Sequence, residues 1–418
     1  MVATKLPTHF CENLTEATGC RTYKVALLAK WRSAILAAAE LTSWRHDTSA
    51  ESLPDLVRKV SVHVERRLAP QPRDMAGTQI GLEATVNELL AQLHQGSGVH
   101  TLGLTGMGGI GKTTLATALY NRLREGFTPA VCFVADVRAR AATPTGAQGL
   151  QHQMLKQLWH KEATIRCSGW QRCVVHRLAG CRVLLVLDDV DDDKGWLGPL
   201  VDISCFAPGS VVIVTSRDAR ALDVAGCCVR SIDLLASPFD LQLFLFHAGS
   251  IPPEVTDDLL SEVVQCCGRL PLSLKVLGAH LKGRTVLAWS RAMTWLRGCQ
   301  PLRANGENLW ERLRISYDSL DDDAQQQFLD ISFLLMASLG GLLHRAMFRN
   351  HDVDSFDTLT ERHLVDVDAE GRLSMHDHLR DMGPAIEVRN MGPHPTDGAA
   401  RRRLEADEAF IMFKGTGV

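Results

Sequence analysis

"GLTGMGGIGKTTLA", Gly103–Ala116, holds five glycines followed at once by a lysine and two threonines. It contains G-x-x-x-x-G-K-[ST], with Gly106 first, Gly111 sixth, then Lys112 and Thr113. Both flanks agree with that motif. "VHTLGLT" before it is an apolar run of strand length, and "TTLATALYNRL" after it places Leu115, Leu119 and Leu123 at helical spacing. Glycines at a strand-to-helix turn let the backbone curl until successive N–H groups point inward. The positive end of the following helix adds to their pull on an anion. The loop suits a polyphosphate, with Lys112 reaching the β- and γ-phosphates and the Thr113 hydroxyl holding Mg2+.

Downstream, "CRVLLVLDDVDD" carries a five-residue apolar run, Val183–Leu187, that closes on Asp188 and Asp189. It predicts a buried parallel strand ending in acid, at the rim where α/β sheets bind ligands. Oxygen ligands suit a hard cation, so Asp188 is the candidate for Mg2+ and Asp189 for orienting or deprotonating a water. "GSVVIVTSRD" (Gly209–Asp218) predicts another strand, ending where Arg217 can feel a γ-phosphate. "AVCFVADVR" (Ala130–Arg138) and "CCVRSIDLL" (Cys227–Leu235) supply two more. Five strands with intervening helices predict a parallel sheet covered on both faces, an α/β P-loop NTPase domain.

Beyond about residue 236 the pattern turns helical. In "CGRLPLSL", Pro271 breaks a helix and presents an apolar corner. "LTERHLVDVDAEGRLSMHDHLRDMG" reads as helix, hairpin and helix, the order of a winged-helix module. Winged helices often bind DNA, but this one carries Asp354, Asp357, Glu361, Asp366, Asp368, Glu370, Asp377 and Asp381. That density of acid argues against a phosphate-binding face, so no specific nucleic acid is expected as a partner.

The 418 residues suffice for roughly two to four domains. A net charge of −3 gives no general drive toward nucleic acid or membrane. The basic run Arg401–Arg403 reads as a solvated tail. Twelve cysteines show no C-x-x-C and no metal-like spacing, which suits reduced, mostly buried thiols of a cytoplasmic or nuclear protein. The first twenty residues lack the apolar core of a secretory signal. "ISFLLMASLGGLL" (Ile331–Leu343) is too short to span a bilayer and reads as buried helix.

From about Ile80 to about Gly392 the chain resembles the NB-ARC nucleotide switch of plant NLR immune receptors, in the branch with an N-terminal TIR domain. The resemblance rests on six motifs in order: "GMGGIGKTTLA", "VLLVLDDV", "VVIVTSRD", "CGRLPLSL", "LRISYDSL…FLDISFLL" and "MHDHLRDMG". It implies an ADP/ATP site with Mg2+. Ile80, Gly81 and Pro271 would border the adenine. Gly106 and the run Gly108, Gly109, Ile110, Gly111, Lys112, Thr113 and Thr114 would hold the phosphates, and Thr113 and Asp188 the metal. Arg217 would sense the γ-phosphate, and His376 would meet the β-phosphate of ADP.

The implied layout is a remnant of the last TIR helix with its linker (1–74), a nucleotide-binding domain (75–235), a helical ARC1 domain (236–305), a winged-helix ARC2 domain (306–392) and a segment leading toward leucine-rich repeats (393–418). Tyr23–Val60 resembles that remnant. The catalytic glutamate region of a TIR domain does not appear, so no NADase chemistry is expected. The resemblance implies a regulated switch with at most slow ATP hydrolysis, able to self-associate or pair with full-length receptors. A continuously turning ATPase and a truncated adaptor or decoy are the alternative readings.

Overall fold

The computed structural model describes residues 72–75, 79–93, 98–127, 130–141, 146–159, 182–191, 206–224, 227–300, 302, 308–336, 353–368 and 371–390. All lie in one compact unit, Ala69–Val418. The expected TIR remnant, most of its linker, Arg401–Arg403 and the segment from 393 onward lie outside the described residues.

The first layer is a helix α1 (Glu83–Leu93) followed by strand β1 (His100–Thr105), helix α2 (Lys112–Leu123), β2 (Val131–Val134), α3 (Val137–Ala141), α4 (Gly146–Trp159), β3 (Leu184–Val190), β4 (Val211–Ser216), α5 (Ala219–Val224) and β5 (Cys228–Ser231). The five strands form one parallel sheet in the order β2-β3-β4-β1-β5. Their side chains alternate between two cores. Phe133, Leu184, Val186, Val211 and Ile213 pack with Leu115, Leu119 and Tyr120 of α2. Cys132, Val134, Leu185, Leu187, Val212 and Val214 pack with Leu150 and Met154 of α4 and Leu222 of α5. Both faces are covered, which is why these strands read as unbroken apolar runs.

Two strand expectations need correction. The run ending at Arg138 is strand only over Val131–Val134, and Arg138 lies in α3. β3 does not close at the two aspartates but runs on to Val190.

The second layer is helical: α6 (Phe239–Ala248), α7 (Asp257–Cys266), α8 (Pro271–Leu281), α9 (Val286–Gly298), α10 (Leu309–Asp318) and α11 (Asp322–Leu334). Pro271 occupies the first turn of α8, where its missing N–H costs nothing. Helices α6 and α8 cross closely at Gly278, where an added Cβ would stand 2.8 Å from the Phe244 carbonyl oxygen. The third part runs α12 (Val353–Glu361), a hairpin of β6 (Asp366–Val367) with β7 (Leu373–Ser374), and α13 (Asp377–Asn390). This is the expected order of helix, hairpin and helix.

One apolar cluster joins the parts. Ile110 of the glycine-rich loop packs with Leu270 and Leu272 at the start of α8, with Leu309 and Leu313 of α10, and with Leu379 and Met382 of α13. The described cysteines are all free. Only Cys132 and Cys267 among them are fully buried and Cys228 is exposed, so burial is less general than the composition suggests.

Candidate functional site

The loop Gly106–Gly111 connects β1 to α2 at the carboxyl edge of the sheet. Gly106, Gly109 and Gly111 take φ values of 152°, 78° and 102°, which side-chain-bearing residues rarely adopt. Gly111 caps α2 without any side-chain hydrogen bond, and the first turn of α2 holds no acidic residue. The opening N–H groups of this helix are thus left to an anion. Lys112 is buried at 8% exposure, with Nζ donating to the carbonyls of Gly106 (2.7 Å) and Met107 (2.9 Å). Burial, and then Arg217, lower its pKa to about 8. An arriving polyphosphate reverses that penalty by supplying the missing negative charge.

Asp188 is 2% exposed. Its carboxylate accepts from Thr113 Oγ1 at 3.0 Å and from Thr215 Oγ1 of β4 at 2.6 Å. Burial pushes it up to about 6 against those hydrogen bonds. The register explains how both aspartates reach the rim. Leu187 pairs with Val214 but Val190 pairs with Ser216, so β3 carries one extra residue there, and Asp189 turns through a φ of 53°. Such a bulge re-aims side chains. Asp188 turns toward Thr113, and Asp189 toward Arg138 (2.9 Å) and Arg217 (3.6 Å).

The amino end of α13 closes the site. Asp377 is paired with Arg138, Arg217 and Arg380, the last at 2.8 Å. Burial pushes the Asp377 carboxyl up, but Arg380, Arg138 and Arg217 outweigh it and hold it below the usual carboxylate range. His376 and His378 stack with ring centroids 5.6 Å apart. Burial lowers His376 to about 3 and His378 to about 4, so both imidazoles are neutral at pH 7. A Cβ added to Gly108 would overlap the His378 ring.

Of the residues singled out from sequence, Lys112, Thr113, Asp188, Asp189, Arg217 and His376 converge on this one rim. Pro271 stands beside it: the next N–H, of Leu272, donates to the Gly109 carbonyl at 3.2 Å. Ile80 packs instead with the cluster of α6 to α9, and Gly81 (φ 76°) lies against Leu235 and Phe239. Sequence reasoning missed Arg138, Thr215, His378 and Arg380. Thr215 had a signal, as a polar residue ending an apolar strand; Arg138 had none, since it meets Asp377 across 239 residues.

These groups fit a magnesium nucleotide. The uncapped helix end and desolvated Lys112 want an anion, and the Thr113–Asp188 pair offers oxygen to a hard cation. Among the described residues no cluster of three or more His, Cys, Asp or Glu could hold a metal alone, so the phosphates themselves would supply further ligands.

Known proteins agree with the geometry. Residues 82–237 match the NB-ARC domain family model. TMV resistance protein N of Nicotiana glutinosa is 27% identical over 402 residues, covering 93% of this chain and 34% of that protein. Disease resistance protein RUN1 of Vitis rotundifolia is 28% identical over 406 residues, covering 93% and 29%. Probable disease resistance protein RPP1 of Arabidopsis thaliana is 29% identical over 400 residues, covering 92% and 32%. The chain spans about a third of the length of these curated relatives. Residues 82–237, which hold the phosphate loop and β3, thus match the NB-ARC domain family, and over most of its length the chain is similar to plant disease-resistance proteins.

Proposed function

We propose that the chain is an ADP/ATP switch of a plant disease-resistance pathway, closed with ADP, opened by exchange, and reset by slow hydrolysis. The observation that carries this reading is the ion-pair knot at the site. Asp377, on the segment that would have to move for the site to open, shares Arg217 and Arg138 with Asp189 on the sheet.

In the closed form the loop N–H groups from Gly106 through Thr114 and the Lys112 ammonium hold phosphate. Thr113 and Asp188 hold Mg2+, His376 faces a β-phosphate oxygen, and Ile80, Gly81 and Pro271 border the adenine. Bound Mg2+ would neutralise phosphate charge. Arg217 can turn to a γ-phosphate only by giving up Asp377, so ATP and α13 compete for one guanidinium. Asp189, held between two arginines, is a restrained base, which suits slow reset. The hairpin and its flanking helices would serve as the winged-helix latch. Self-association or pairing with longer receptors would follow opening, in the cytoplasm or nucleus. Among the described residues no helix is long and apolar enough to cross a membrane.

The test is to denature the purified protein and identify what is released by chromatography. ADP is expected, and Lys112→Arg should come out largely empty. A wild-type protein that carries no nucleotide and takes up neither ADP nor ATP refutes the reading.

A further inference from the structure

The His378 ring sits over Gly108, yet its Nε2 is buried and has no hydrogen-bond partner among the described residues. A buried polar atom left unsatisfied is costly, and most such atoms in folded proteins do find a partner. The neighbours explain its position but not its need. The backbone N–H of His378 donates to His376 Nδ1 at 3.2 Å, and the two rings stack at 10°. Neither contact uses His378 Nε2. Around it stand the glycine-rich loop and the cations Arg217, Lys112 and Arg138, which outnumber the Asp377 carboxylate and attract an anion.

Gly108 has its own reason to lack a side chain. Unlike Gly106, Gly109 and Gly111, it has no left-handed φ. Alanine there meets no backbone strain; what it meets is the imidazole. The glycine leaves room for His378 to approach the loop.

We propose that His378 is a second nucleotide-binding imidazole, donating from Nε2 to a phosphate oxygen of the diphosphate held by the loop. This inference rests on the P-loop reading above, and adds to it a residue two positions beyond His376. The neutral ring carries its proton on Nε2 and acts as a donor. With an anion in the loop the orphaned atom is satisfied, and α13 is drawn onto the nucleotide at His378 as well as at His376.

Two readouts test it: ADP affinity with Mg2+ by calorimetry, and thermal unfolding of the nucleotide-free chain. His378→Leu should weaken ADP about 10- to 100-fold, the value of a hydrogen bond to a charged group. It should leave the nucleotide-free melting temperature unchanged or higher, because it removes an unsatisfied polar atom. A ring that only packs would give the opposite pair of results. His378→Gln, which keeps a donor, should recover part of the affinity. Gly108→Ala should weaken ADP as well, and its loss should overlap with that of His378→Leu in the double variant.

If wild type binds ADP and His378→Leu binds it equally well, this inference falls and the P-loop reading stands. If His378→Leu melts well below wild type without nucleotide, the ring is structural and the inference falls. If the two losses add in full, Gly108 and His378 act separately, and it falls too. Wild type failing to bind ADP overturns both readings.

Discussion

Replacing Asp377 with asparagine removes one charge and almost no volume, so its effect isolates the ion-pair knot. The Asp377 side chain is 12% exposed and Arg380 15%, whereas Arg138 and Arg217 are 32% and 31% exposed. Losing one partner of a fully buried pair costs about 3–5 kcal/mol, and losing an exposed pair costs about 0–1 kcal/mol. With the carboxylate nearly buried and two of its three arginines a third exposed, the loss is about 2–3 kcal/mol after discounting for solvent. At about 1.4 kcal/mol per decade, the closed arrangement then weakens about 30- to 140-fold.

The loss should appear as faster ADP release in stopped flow, with ATP affinity by calorimetry unchanged or tighter, since only the closed arrangement uses the knot and Arg217 is released from it. Arg138→Gln alone should do less, because Arg217 and Arg380 still hold the carboxylate. In a double-mutant cycle the Asp377 and Arg138 losses should be non-additive by about 0.5–3 kcal/mol. Equal weakening of ADP and ATP would make Asp377 a plain fold contact and refute the latch. So would an unchanged ADP release rate.

Steady-state ATP hydrolysis should fall well below about 10 per second, a typical enzyme turnover, because Asp189, the candidate base, is held by Arg138 and Arg217; a rate above that marks a motor ATPase. Gly278→Ala should destabilise the chain by about 1–3 kcal/mol in chemical denaturation, since the methyl meets the Phe244 carbonyl. Most helical Gly→Ala changes stabilise, so an increase in stability refutes the close crossing of α6 and α8. The His247–His363 pair, bonded at 3.0 Å, titrates at about 4 in each ring, burial being the main cause. Both values lie below the ordinary 6.5, so the unfolded chain takes up protons first, and stability present above about pH 6.5 is lost as pH falls toward 4. His363→Asn, which tolerates the φ of 54° there, should flatten the fall between denaturation midpoints at pH 7 and pH 5; an unchanged slope contradicts the assignment.

What could be read from sequence was what local pattern encodes. Strand, glycine turn and helix lie within one short segment, so β1, the loop and α2 announce themselves. The helix break at Pro271 is as local. The bulge in β3 is not, because it depends on where β4 pairs. The acid at the end of β3 is legible in the sequence; the extra residue that turns Asp188 and Asp189 toward different partners is not. Arg138 looked like the end of a strand, and only tertiary packing brings it to Asp189 across 51 residues. His378 escaped notice because a motif directs attention to its own letters. Its part in the site comes from α13 lying on Gly108, a contact that no spacing within "MHDHL" reveals.

The chemistry of the contacts between the layers says which of them yields first. On the α8 side the loop is joined by apolar packing, Ile110 against Leu270 and Leu272, with the Leu272 N–H on the Gly109 carbonyl. Exposing such a face to water has a lasting cost per unit area, and it invites association. On the α13 side Leu379 and Met382 share that apolar cluster, but the join also carries a carboxylate among three guanidiniums, groups that water solvates well once they part. A permanent interface gains little from buried charge, since an apolar replacement is often as stable or more so. A reversible one gains a surface that is soluble in both states. On the proposed switch, opening is therefore expected to start at Asp377. The neutral imidazoles of His376 and His378 would then lie at the parting edge, where losing or gaining one phosphate would change what they can bond.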